Sequence, residues 1–143
     1  MEFFKLEGGL DMVTREMLEK LDHKMQVMFA VFCAKQVLHL ISNKERDVCL
    51  NAIAFAEGFI EGKTVEYVNV YAAGHTMNPF IASYLVRVVN NVAFSSYFTE
   101  SVADTVFNTQ NANKKTIEQE QIRYYNELLN FDKIVEDLMG ISL

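Results

Sequence analysis

With 143 residues, half of them apolar and 22% charged, the chain can bury one core without disulfides or metals and is too apolar for a disordered polymer. A net charge of −6 argues against nucleic acid, because phosphate contacts need clustered Lys and Arg and the densest basic run is Lys114-Lys115. Two cysteines make no disulfide framework, and "MEFFKLEGGLDM" has neither the basic nor the apolar part of a secretory leader, so reduced thiols and a cytoplasmic location are expected.

One proline, no strand-like run between turn signals and no long internal repeat leave helices as the building material. The expectation is an all-α fold, a single-domain bundle of five to six helices over 1–143, with 1–13 loosely attached. Thr14 caps a short first helix, with Glu16 and Glu19 near its positive end. Asp22 caps a second that runs apolar to Ile41. Met25, Met28, Phe29, Phe32 and Gln36 form one stripe of it and Val27, Val31, Ala34, Leu38 and Ile41 the next, the pattern of a central helix. "SNKERD" then reads as a charged corner. The following helix carries Val48, Cys49, Ala52, Ile53, Ala56, Phe59 and Ile60, and Gly62 stops it.

Thr64 caps a further helix through Ala73, and Asn78-Pro79 starts another with the stripe Phe80, Ile81, Tyr84, Leu85, Val88 and Val92, continuing or kinking toward Phe107. "NTQNANKK", 108–115, is predicted to be a mobile loop. Thr116 and Gln119 fit a capping box for a final helix with Ile117, Tyr124, Leu128, Phe131, Val135 and Leu138, ended by Gly140. From Tyr67 to Thr99 the only charged residue is Arg87. "GHTMNP" and several Asn and Ser make this stretch a poor membrane span, and it reads as buried helix or as a surface covered by another subunit.

Chemistry is tested next. No Glu precedes a His by three residues, and neither H-E-x-x-H, C-x-x-C, a Walker loop nor G-x-S-x-G occurs. His39 lies six residues after Cys33, about 120° away on an ideal helix, unsuited to a dyad or a shared ion. No catalytic residue, metal or cofactor is assigned. Arg87, the lone charge of its run, must find solvent, an acid or an anionic ligand, and Asn90 and Asn91 are its natural company in a polar pocket.

"FAVFCAKQVLHLI" followed by "ERDVCLNAIAFAEGFIEGKTV" resembles the Imm-5-like helical domain, a family of immunity proteins of bacteria with related small proteins in phages. The likeness rests on Cys33, Ala34, Val37, Leu38, Arg46, Ala52-Ile53, Phe59 and Gly62 and covers about 25–65. Farther on, bulky "SYLVRVVNNVAFSSYF" stands where the family is alanine-rich with a Gly-His pair, and no Trp occurs. The resemblance implies an all-helical protein that neutralises a toxin by binding it.

The expectation is therefore a non-catalytic immunity- or inhibitor-like module that binds a protein partner of basic character, as suits an acidic chain. Candidate contact residues are Arg46, Arg87, Asn90, Asn91, Tyr124 and Tyr125, joined by Phe3, Phe4 and Tyr97 as potential exposed aromatics. Two alternatives stand beside it: a ligand-binding bundle with a buried polar pocket at Arg87, Asn90 and Asn91, and a homo-oligomer formed through the uncharged segment 67–99.

Overall fold

Each early helix begins where a short polar side chain turns back on the backbone. Thr14 accepts from the Met17 N–H at 3.3 Å and opens α1 (Arg15–Glu19). Asp22 accepts from Met25 N–H at 2.9 Å and opens α2 (His23–Val37), which tightens into a 3-10 turn over Leu38–Leu40. Such a cap satisfies one of the donors a helix start leaves unpaired and is worth about 1 kcal/mol. α3 (Asn43–Ile60), α4 (Pro79–Val89), α5 (Ser96–Gln110) and α6 (Lys114–Leu138) follow. The computed structural model describes residues 13–63, 79–90, 96–110 and 113–138, and their side chains over 13–63, 81–90, 98–109 and 113–131. Among the described residues there are six α-helices and no strand, so the fold is an all-α bundle.

α2 is its central strut. It packs against α3, α4, α5 and α6, and Val27, Phe29, Ala30, Cys33, Ala34 and Val37 are fully buried. A helix apolar on nearly every side has no stable place except the interior. Gln36 meets Gln121, Phe32 meets Tyr124 and Phe29 meets Tyr125, so α2 and α6 run antiparallel. α4 lies on α2 and α3, burying Ile81, Ala82, Leu85, Val86, Val88 and Val89. The described part of the uncharged segment thus buries these apolar side chains within the chain's own core.

Several boundaries differ from expectation. "SNKERD" is no separate corner: Ser42 and Glu45 cap one another reciprocally, and α3 already begins at Asn43. α6 begins two residues before Thr116, because Asn113 is the capping side chain, its Oδ1 accepting from Lys115 N–H at 2.9 Å. Helix therefore reaches into 108–115 from both sides, α5 through Gln110 and α6 from Lys114. Gly62 does end α3: its φ of +78° favours glycine, and Lys63 N–H reaches back to Gly58 O at 2.9 Å. The Thr64 helix, the Asn78 cap and the Gly140 stop fall outside the described residues.

Candidate partner-binding face

Arg46 is placed by the first turns of α3 directly beneath the end of α2. Its Nε donates to Leu38 O at 3.0 Å, Nη2 to Ile41 O at 2.9 Å and Nη1 to Asn43 Oδ1 at 3.0 Å. The planar fork meets carbonyls that the helix end leaves without intrahelical partners. Three of its five N–H donors are engaged by the fold, which gives it a structural role that its reading as a contact residue did not include.

Arg87 and Asn90 are exposed, the former with its guanidinium 5.3 Å from the centre of the Tyr84 ring. A cation over an aromatic face at the surface is the snorkelling arrangement, and it corrects the expectation of a buried polar pocket there. Asn91, Phe3, Phe4 and the Tyr97 side chain lie outside the described residues. Tyr125 is corrected as well: it is buried, edge-on to Phe29, and donates its hydroxyl to Met17 O at 2.6 Å. Burial pushes its phenol up to about 12. Tyr124 is half-buried and stacked on Phe32 at 4.4 Å, with its outer edge on a groove described below.

Cys33 and Cys49 are buried, reduced and in different helices. Burial alone holds the Cys33 thiol far above its ordinary range, while burial and then the Glu45 charge push Cys49 up to about 11. Both are protonated packing groups and not nucleophiles at neutral pH. His23 donates Nε2–H to Val88 O at 2.7 Å, tying the start of α2 to the end of α4. His39 is exposed on the 3-10 turn, apart from both thiols. Among the described residues no group of three or more His, Cys, Asp or Glu is placed to hold a metal ion. No described helix is long and apolar enough to cross a membrane. Lys114 lies 2.7 Å from Asp104, with Glu100 and Glu118 within 4.0 Å, and the bond to Asp104 raises its pKa. The densest basic run of the chain thus faces carboxylates, not open solvent alone.

The sequence pattern did not isolate the surface that stands out. α6 turns Ile117, Gln121, Tyr125 and Leu128 inward, yet Phe131 is 56% exposed and Leu129 37% exposed. From Glu127 to its end this helix also carries Glu127, Asp132, Glu136 and Asp137 against the single Lys133. Beside Tyr124, a groove of about 360 Å³ opens between α2, α3 and α6, with Met28, Val31 and Ile60 as its apolar walls and Lys35, Glu57 and Glu61 as its rim. Leu129 and Phe131 are two residues apart and so point to different sides of α6, within an acid-rich stretch of the sequence. The molecule is thus, in its described residues, an all-α bundle whose exposed large apolar side chains are Leu50, Phe107, Leu129 and Phe131. No family model, curated protein or solved structure matches the chain.

Proposed function

We propose that this chain is a non-catalytic protein-binding module, an immunity- or inhibitor-like protein of bacterial or phage origin that neutralises a basic partner protein. The observation that carries the reading is the exposure of Phe131 and Leu129 on the acid-rich end of α6. Exposed aromatics that a partner can enclose supply most of the binding energy in many interfaces, and surrounding carboxylates speed encounter with a cationic surface. The sequence resemblance to immunity proteins over 25–65 points the same way.

Affinity capture from bacterial lysate tests it, using the tagged chain beside its Phe131→Ser and Leu129→Ser double variant and reading the eluates by native mass spectrometry. The expected result is a stoichiometric basic protein retained by the parent and lost from the variant, whose circular dichroism is unchanged. Retention of the same partner by the variant, or capture of none by the parent, refutes the proposal.

A further inference from the structure

We infer that the end of α2 carries a binding site for a phosphate monoester on a small apolar carrier, formed by Lys35, His39 and Arg46 around Leu38. The inference stands apart from the protein-binding reading above. An open concavity of about 450 Å³ lies here, within the range of about 300–1,000 Å³ usual for ligand sites, and among the described residues these four line it. Three of the four have basic side chains and none is acidic, in a chain whose net charge is −6.

Local structure brings the three together. Lys35 belongs to the last turn of α2, and His39 follows it by four residues on the 3-10 turn, which places both on the concavity with the half-buried Leu38 between them. Arg46 comes from α3 and is held from behind. Its Nε, Nη1 and Nη2 each give one hydrogen bond to the fold, at 3.0, 3.0 and 2.9 Å. A guanidinium has five N–H groups, so one remains on each Nη, in the fork geometry that suits a phosphate. The fork is fixed before a ligand arrives, which lowers the ordering cost of binding. Two of the carbonyls that would repel an anion at this helix end are covered by the same side chain.

The number of donor groups selects the anion. A phosphate monoester brings three terminal oxygens and about two negative charges, enough for the fork, the ammonium and the imidazole together. A carboxylate has two oxygens and a single charge, and the fork alone would use both. Leu38 gives the carrier an apolar surface to lie on. Glu57 competes for Lys35 at 2.9 Å, but the two side chains are 43% and 53% exposed, and a pair in that setting is held weakly enough for a dianion to displace it.

The test titrates phenyl phosphate, inorganic phosphate and benzoate into the full-length chain at constant ionic strength, followed by proton–nitrogen NMR that includes the Arg46 Nε–H and the His39 ring. Phenyl phosphate is expected to shift Arg46, His39 and the Lys35 to Leu38 amides saturably, with inorganic phosphate and benzoate each binding severalfold more weakly. Lys35→Gln should weaken phenyl phosphate about fivefold, and His39→Gln added to it should weaken it again. Both substituted side chains are exposed, so circular dichroism stays that of the parent. Lys24→Gln, at the opposite end of α2, should change nothing. Arg46 is left in place because its loss loosens the fold. Shifts that do not saturate, that centre on other residues or that survive Lys35→Gln overturn the inference. Benzoate binding as tightly as phenyl phosphate overturns the phosphate assignment, and inorganic phosphate doing so overturns the apolar carrier.

Discussion

Replacing Arg46 with alanine separates a structural clasp from a contact residue. The side chain is half-buried and gives charge-assisted hydrogen bonds to two backbone carbonyls, Leu38 O at 3.0 Å and Ile41 O at 2.9 Å; its third bond, to Asn43, is exposed and contributes little. A bond from a charged donor is worth about 1.5 kcal/mol at the lower end of its range, so loss of two destabilises the fold by roughly 3 kcal/mol. For a chain of 143 residues the unfolding entropy near the midpoint is about 0.3 kcal/mol/K, so Tm falls by about 10 °C. Arg46→Lys recovers about half of this, since one ammonium cannot span both carbonyls in the geometry of the fork. Arg87→Ala is the control: its exposed cation over Tyr84 costs less than about 1 kcal/mol. The assay is urea unfolding followed by far-ultraviolet circular dichroism, with the midpoint shifting at constant slope. An Arg46→Ala protein within about 0.5 kcal/mol of the parent, or no less stable than Arg87→Ala, refutes the clasp.

Other perturbations follow from the same contacts. Tyr125→Phe removes the bond to Met17 O and costs about 1 kcal/mol, with amide exchange rising in α1 more than elsewhere because that bond ties α1 to α6. Phe29→Ala empties a fully buried position packed on Phe32, Tyr124 and Tyr125 and lowers stability by about 3–5 kcal/mol in the same urea assay. The thiols make the fold weaker in alkali. The folded pKa of Cys49 is raised from 9.0 to about 11 and that of Cys33 is raised further, so above pH 9 the unfolded chain holds fewer protons than the native one. Their contribution is complete below pH 9, and the urea midpoint declines as pH rises toward 11; a midpoint flat across that interval refutes the assignment.

Local chemistry made much of the fold legible. Thr14 and Asp22 cap the helices their side chains announce, and the double apolar stripe from Met25 to Val37 identifies a central helix because no surface helix tolerates it. Ser42 and Glu45 were equally readable as a capping box, but the surrounding charges drew attention to a corner instead. The role of Arg46 was not legible, since the carbonyls it satisfies belong to the 3-10 turn after α2 and to Ile41 just beyond it, and meet it only once the chain has turned. Phe131 fits the periodicity of α6 and so reads as core. By the register of Gln36 with Gln121 and Phe32 with Tyr124 it stands level with the first turn of α2, yet its side chain is 56% exposed. Periodicity reports which way a side chain faces, not whether a neighbour is there to receive it.

The contact between Gln36 and Gln121 has a consequence for how the long helix is held. Gln121 is fully buried; its Nε2 donates to Gln36 Oε1 at 3.0 Å, with Thr99 O at 3.4 Å, and its own oxygen has no hydrogen-bond partner among the described residues. Leucine at this position would pack as well and leave no orphaned oxygen. What it would not do is choose an alignment, because apolar surfaces match nearly as well when one helix slides a turn along another. Sliding α6 by one turn moves Gln121 about 5.4 Å along the axis and away from both acceptors. Each buried amide group stranded in this way costs roughly 1–3 kcal/mol. The polar pair therefore fixes where α6 stops along α2, and with it the level at which Phe131 stands along the bundle.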